Sequence, residues 1–176
     1  LDERKFAQAA AAKAKAGALF RLKASGSGKR QKVATGLRDV GALTAHGGKV
    51  YLYLQAKGER GRIEELASDG SKRRVVSANW RKAEHIAVDG CWGYVFVNGQ
   101  LYRYPLGAAT QKKGPRRSSR ISKGWAKVSG MVAAGGRVFL RLQERGKGVL
   151  YWLNTSGWPR RKLSYGWKSL RGLAAY

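Results

Sequence analysis

Short apolar runs alternate with glycine-rich turns along most of the chain, a pattern that predicts β-strands rather than helices. Three stretches of twelve residues share one order: an apolar run, a tight turn and a second apolar run. They are LTAHGGKVYLYL (43–54), IAVDGCWGYVFV (86–97) and MVAAGGRVFLRL (131–142). Each predicts a hairpin with glycine in its turn, because glycine adopts a positive φ without a steric clash. The segment LAAY (173–176) begins in the same way.

Two further strands are predicted in each copy of this pattern. The third strand is ALFRL (18–22), RIEEL (62–66), QLYRY (100–104) and VLYWL (149–153). The fourth strand is KVAT (32–35), RRVVS (73–77), SRISK (119–123) and RKLSY (161–165). An aromatic residue recurs in the second strand, at Tyr51, Tyr94 and Phe139, and is expected to pack between neighbouring sheets. The repeating unit is therefore four short strands.

A large apolar residue follows each fourth strand and serves as an anchor for aligning the copies. The anchors are Leu37, Trp80, Trp125 and Trp167, and they are 43, 45 and 42 residues apart. This regular spacing predicts that the anchors lie in the core. Four strands in about 43 to 45 residues is also the period of a β-propeller blade.

The order of Trp, short apolar strand, small turn, aromatic strand and LYR-like strand resembles the blades of tectonin or tachylectin-type propellers, and the Gly-Gly turns are similar to those of kelch repeats. The likeness covers residues 18–176. It implies an all-β fold, a small propeller of about four blades with four short antiparallel strands in each. One blade would be shared between the N- and C-terminal segments. Two interpretations remain: a ring that closes with one incomplete blade, which we favour, or part of a larger ring completed by another chain.

The first 17 residues differ in composition from the repeats. They are rich in alanine, with acidic residues first and lysines last, an order that suits the helix dipole. We therefore expect residues 1–17 to form a short N-terminal helical arm on a propeller domain of residues 18–176.

Basic residues dominate the charge. The chain has 36 Lys and Arg against 10 Asp and Glu, a net charge of +26. A compact chain with so much unpaired charge repels itself unless a polyanion neutralises it, so the expected partner is nucleic acid. RNA is favoured by the ribonucleoprotein interpretation below, and DNA is the alternative, because phosphate neutralisation is alike in both. A membrane partner is not expected, because no apolar run approaches 18 residues and no long amphipathic helix with a bulky apolar face is evident.

A basic cluster lies at the start of the fourth strand in every copy. The clusters are Lys29, Arg30 and Lys32; Lys72, Arg73 and Arg74; Arg116, Arg117 and Arg120; and Arg160, Arg161 and Lys162. In a propeller this turn returns to the same face of each blade, which predicts a basic belt on one rim. We expect these side chains to contact phosphates without reading bases. The alternative is that they only keep exposed turns soluble.

The third copy enlarges this basic turn. Leu101 lies 24 residues before Trp125, whereas the same interval is 17 or 18 residues in the other copies. The insertion falls in residues 107–118 and adds Lys112 and Lys113 to the predicted phosphate contacts. Repeat proteins often place binding contacts in such insertions.

Catalytic and cofactor-binding patterns are not evident in the sequence. The segment GSGK (26–29) lacks the spacing of a phosphate-binding loop, and His46 and His85 occupy unrelated positions. Cys91 replaces a repeat glycine, which favours packing over chemistry. We therefore expect no enzyme activity, cofactor, metal or small-molecule substrate. Trp158, beside Arg160, follows no shared repeat position and is the tryptophan expected to be exposed, for base stacking or for contact with a partner protein.

These patterns favour a non-catalytic, RNA-binding accessory protein of a large ribonucleoprotein, most simply a ribosome, with rRNA and neighbouring proteins as partners. The single cysteine excludes an internal disulfide and favours a reducing compartment. The chain starts at Leu1, which is compatible with a removed organellar leader, so we expect an intracellular location, with the mitochondrial or another organellar matrix favoured over the cytoplasm. The alternatives are a lectin-like carbohydrate-binding propeller, which the resemblance implies, and a protein-interaction scaffold.

Overall fold

The structure, a computed structural model, describes residues 17–21, 29–106 and 118–167, without the side chains of Tyr165 and Trp167. All regular structure in these ranges is β-strand. The helix predicted over residues 1–17 lies outside them except for Gly17, which begins the first strand, and so does the segment LAAY (173–176). The described residues fall into two compact units, one up to Lys82 and the other from Ala83 onward.

The first unit contains a two-stranded and a four-stranded antiparallel sheet. The small sheet pairs β1 (Gly17–Arg21) with β2 (Gln31–Leu37). The larger sheet has the order β3 (Val40–His46), β4 (Lys49–Leu54), β5 (Gly61–Ala67) and β6 (Arg73–Trp80). Both sheets contribute to one buried cluster, which includes Leu19, Val33 and Leu37 from the small sheet and Val50, Leu52, Leu54 and Leu66 from the larger one.

The second unit contains two four-stranded antiparallel sheets. One consists of β7 (Ala83–Asp89), β8 (Trp92–Val97), β9 (Gln100–Pro105) and β10 (Ser119–Lys123). The other consists of β11 (Val128–Ala134), β12 (Arg137–Glu144), β13 (Lys147–Asn154) and β14 (Arg160–Trp167). The first strands of the two sheets, β7 and β11, lie next to each other, and Gly136 N–H donates to Asp89 Oδ2 at 2.7 Å between their hairpin turns.

Three of the predicted four-strand units form one sheet each, with their strands paired in sequence order, and the described part of the copy shared between the chain ends forms the two-stranded sheet. The hairpin turns carry the expected glycines with positive φ, for example 57° at Gly135 and 72° at Gly136. The first strands, however, begin three residues earlier than predicted, at Val40, Ala83 and Val128. A register shift follows each of these starts. The extra residue breaks the period-two alternation, which is why the sequence pattern does not reveal this part of the strand.

The anchors are buried, as predicted for Leu37, Trp80 and Trp125. The indole N–H of Trp80 donates to Ser77 Oγ at 2.8 Å, and that of Trp125 donates to Ser122 Oγ at 2.9 Å. Each serine lies three residues before its tryptophan, so the outer strand itself satisfies the buried indole. The Trp167 side chain lies outside the described part of the structure.

The recurring aromatic of the second strand is also placed largely as predicted. Tyr51 and Tyr94 are buried, and Phe139 is half-buried. The expected packing role of Cys91 is wrong, because its side chain is exposed. Cys91 follows Gly90 in the turn between β7 and β8.

Candidate nucleic-acid interface

The turn between the third and fourth strands lies against the outer strand of the preceding sheet, in both units. An ideal Cβ on Gly70 would lie 1.9 Å from the carbonyl oxygen of Val33, and one on Gly157 would lie 1.8 Å from that of Ile121. Val33 and Ile121 both stand four residues before their anchors. The repeat therefore brings a basic turn close to the basic outer strand of its neighbour within each unit.

In the second unit this arrangement forms an open groove, which we call the Trp158 groove. Its volume is about 340 Å³. The lining residues are Arg120, Ile121, Ser122, Lys123, Gly157, Trp158 and Arg160. Three of them are cations and none is a carboxylate, so the groove suits an anionic group.

Trp158 is 72% exposed, as the sequence predicted, yet its turn is held in place. The backbone N–H of Trp158 donates to Asn154 Oδ1 at 3.1 Å, and Ser156 Oγ donates to the Trp158 carbonyl at 3.2 Å. Gly157, with φ of 86°, closes the turn against Ile121. Trp158 is therefore an exposed aromatic side chain on a hydrogen-bonded turn.

Two arginines of the groove are positioned by contacts inside the unit. The Arg160 guanidinium lies 4.5 Å from the centroid of the Trp125 ring, and its Nη2 donates to the Lys123 carbonyl. Arg120 Nη1 donates to Gln100 Oε1 at 3.1 Å. Neither arginine forms an ion pair with a carboxylate among the described residues, so both positive charges are available to a ligand.

Two arginines of the equivalent basic cluster in the first unit form ion pairs. Arg73 forms an ion pair with Glu64, and Arg74 forms one with Glu65 at 3.0 Å. Both carboxylates are almost completely buried on β5. Burial alone would raise their pKa values, but hydrogen bonds from the arginines, supplemented by Arg62 at Glu64 and Lys49 at Glu65, outweigh it and lower both. Arg73 and Arg74, predicted to contact phosphates, thus already have anionic partners.

Aromatic residues replace these two glutamates in the second unit. Tyr151 and Trp152 lie sixteen and fifteen residues before Trp167, as Glu64 and Glu65 do before Trp80. The Arg161 guanidinium lies 5.8 Å from the Trp152 ring centroid instead of pairing with a carboxylate. Lys162 lies 5.8 Å from the Tyr151 ring and pairs with the half-exposed Glu144 at 3.3 Å. Arg161 thus lies near an aromatic ring where Arg74 has a carboxylate partner.

The other predicted phosphate contacts are placed as follows. Lys29 and Arg30 precede β2, Lys32 lies within it, and Lys72 precedes β6; all four side chains are exposed. The insertion residues Lys112, Lys113, Arg116 and Arg117 lie outside the described residues. The basic belt around one rim therefore stays a prediction.

Residues capable of catalysis or metal binding are scattered. Within the described ranges, no group of three or more His, Cys, Asp or Glu side chains lies together as a metal site would require. His85 Nε2 lies 3.3 Å from the Val128 carbonyl oxygen, a contact between the two sheets of the second unit. In the same part of the chain, no helix is long and apolar enough to cross a membrane.

Sequence reasoning missed the two glutamates of β5. The available signal was their adjacency in RIEEL, in a chain with ten acidic residues, ahead of the pair Arg73-Arg74. Neighbouring strand residues face opposite sides of a sheet, so an acidic pair opposite a basic pair predicts two cross-strand ion pairs. The register confirms this for Glu65, which lies directly opposite Arg74.

Comparisons with known proteins support the fold. No protein-family model matches the chain, and no curated protein matches it. Among solved structures, the chain is similar to one in a nidogen/laminin complex, with 14% identity over 86% of this chain and 60% of that one, at a TM-score of 0.65. It is also similar to a putative TolB from Agrobacterium tumefaciens, with 15% identity over 84% of this chain and 55% of that one, at a TM-score of 0.57. For PorZ of Porphyromonas gingivalis the identity is 18%, over 83% of this chain and 19% of that one, at a TM-score of 0.56.

These identities are low, so the likeness concerns the fold alone. The neighbours have β-propeller-type folds, and the chain accordingly has a propeller-type repeat fold, the architecture predicted from its spacing. The chain spans 60% or less of the length of each of these three proteins.

Proposed function

We propose that this chain is a non-catalytic RNA-binding protein that contacts phosphates through the Trp158 groove and the exposed basic residues at the start of its fourth strands. The observation that carries the proposal is the composition of the groove, where Arg120, Lys123 and Arg160 stand together without a carboxylate among the lining residues. Neutralising phosphates with Lys and Arg releases counterions, which supplies affinity without base recognition.

The wider charge pattern supports the same proposal. Arg73 and Arg74 have carboxylate partners, yet Lys29, Arg30, Lys32 and Lys72 of the same unit are exposed, and the net charge of the chain is +26. Exposed lysines on edge strands also discourage aggregation, but that role does not require so large an excess of positive over negative charge.

The setting we propose is a large ribonucleoprotein, a mitochondrial or other ribosome being the simplest case, with rRNA and neighbouring proteins as partners. There a strongly basic, small protein is neutralised by the RNA around it. The propeller would hold about four blades of the tectonin or tachylectin type. Sedimentation of the tagged protein from cell lysate tests this setting: it should migrate with ribosomal particles and leave them after nuclease treatment.

The binding itself is tested with the full chain purified in the presence of nuclease. Fluorescence anisotropy should show binding to a labelled RNA that weakens steeply as salt rises from 50 to 200 mM, by about 10³-fold if six phosphates are contacted. A neutral glycan should not bind. A flat salt response would overturn the proposal, and glycan binding that survives high salt would favour a lectin.

A further inference from the structure

The exposed face of the Trp158 side chain does not contribute to packing in the described part of the second unit. Its indole is 72% exposed, whereas Trp125 in the neighbouring sheet is buried. Asn154 holds the backbone of the turn by accepting from the N–H groups of Ser156 and Trp158. The ring is thus presented to solvent on a fixed turn, which lowers the entropy lost when a flat ligand packs against it.

The cations around this ring are fixed as well. Arg160 is held over Trp125 and by the Lys123 carbonyl, and Arg120 is held by Gln100. They line the same groove as the exposed indole. An aromatic platform next to fixed cations is the combination with which proteins bind single strands, because the base stacks while its phosphate meets the cation.

The size of the groove points to one nucleotide rather than a duplex. Its volume of about 340 Å³ lies at the lower end of the range for small-ligand pockets, roughly 300 to 1,000 Å³. Bases within a duplex are stacked on each other, so their faces are closed to a tryptophan. A base that stacks on Trp158 must therefore be unpaired.

The first unit lacks this arrangement at the equivalent turn. Ser71 follows Gly70 as Trp158 follows Gly157, and Arg73 takes the place of Arg160 but pairs with Glu64. Among the turns that the structure describes between third and fourth strands, the combination of exposed tryptophan and unneutralised arginine occurs only in the second unit. A feature that every blade requires would recur in each copy. The exposed tryptophan with its arginine is therefore specific to this turn of the second unit.

We infer that the Trp158 groove binds an unpaired nucleotide of RNA, with the base stacked on the Trp158 indole and the adjacent phosphates held by Arg120 and Lys123. This inference rests on the proposed function, since it names the kind of RNA that the same groove takes. It predicts a preference for single strands, loops and bulges over continuous duplex.

The test compares Trp158→Ala and Trp158→Phe with the unchanged chain, using a 12-nucleotide single-stranded RNA and a duplex of the same length. Trp158→Ala should weaken single-strand binding by about 5- to 150-fold, the loss expected for one stacked base. Trp158→Phe keeps a stacking face and should retain most of the affinity. Duplex binding and the salt dependence of both RNAs should be unchanged, and circular dichroism confirms that the exposed substitution leaves the fold intact.

The outcomes separate this inference from the proposed function. If Trp158→Ala binds the single strand as well as the unchanged chain does, or loses single strand and duplex equally, the stacking inference is wrong while salt-dependent RNA binding stands. If the unchanged chain binds neither RNA at 50 mM salt, both proposals fail.

Discussion

The Arg160 guanidinium lies 4.5 Å from the centroid of the Trp125 ring. The equivalent arginine of the first unit, Arg73, forms an ion pair with the buried Glu64 instead. The arginine at this repeat position thus pairs with a buried carboxylate in one unit and lies on an aromatic ring in the other. This difference leaves Arg160 beside the Trp158 groove without a carboxylate partner among the described residues, and it defines where we expect RNA to bind.

Gly157 should be far less tolerant of a side chain than a hairpin glycine. A Cβ there would lie 1.8 Å from the Ile121 carbonyl oxygen, whereas nothing lies within 4 Å at Gly135, and both residues have positive φ. Gly135→Ala should cost about 1 kcal/mol for the backbone strain alone. Gly157→Ala should cost about 3 kcal/mol, since a backbone neighbour must also move. Urea unfolding measures both, and equal losses would contradict the close approach.

Tyr51 and Tyr94 occupy the same repeat position but should respond differently to loss of the hydroxyl. Tyr51 Oη donates to Glu65 Oε2 at 3.1 Å, so Tyr51→Phe should lower the free energy of unfolding by about 1 kcal/mol. The Tyr94 hydroxyl is buried and finds no hydrogen-bond partner in the described structure, and burial raises its pKa to about 12. Tyr94→Phe should therefore be neutral or stabilising, and Phe139 already fills the equivalent position on β12. A comparable loss in both variants would reveal a partner for Tyr94.

Glu64 and Glu65 should make the fold sensitive to acid. Their pKa values are lowered in the folded state, because hydrogen bonds from Arg73 and Arg74 outweigh the effect of burial. The stabilisation is therefore present above the unfolded-state pKa of about 4.3 and is lost as pH falls through the lower folded values.

Urea unfolding of Glu65→Gln between pH 3 and 6 checks this expectation. At pH 6 the variant should be less stable than the unchanged chain by about 1 to 2 kcal/mol, a value reduced by the exposure of its partners. The difference should shrink as pH falls below about 4.3, because the unfolded chain then gains a proton at this carboxyl more readily than the folded chain does. Glu59→Gln, at an exposed position, provides the control and should show no such trend. A pH-independent difference would mean that packing rather than charge is lost.

The repeat and its sheets could be predicted from the sequence because they depend on local patterns. Alternating apolar residues, turn glycines and regularly spaced anchors are visible without knowing which strands pair. Trp158 could be predicted as exposed because it breaks the repeat. Whether Arg73 and Arg74 pair with Glu64 and Glu65 depends on the register between β5 and β6, and the sequence alone does not give that register. That register is set partly by bulges, including one between Ile63 and Glu64. Such bulges cannot be recognised from the pattern of apolar residues.

The backbone conformation after the anchors could not be predicted from the sequence either. Asp39, Lys82 and Lys127, each two residues past an anchor, all have positive φ, between 49° and 55°. Lysine rarely adopts this conformation, so the residue types at these positions do not predict a positive φ. The strain is imposed by the tertiary fold, where the chain passes from one sheet to the next within the repeat.

The most direct test of the central claim is the salt dependence of RNA binding in two variants with the same net charge. Arg120→Gln with Lys123→Gln removes two cations from the Trp158 groove, and Arg145→Gln with Lys147→Gln removes two exposed cations at the opposite end of β13. The groove variant should lower the slope of log affinity against log salt by about 1.4 for a single-stranded RNA, while the control keeps the slope of the unchanged chain. Equal slopes in the two variants would contradict phosphate binding in the groove.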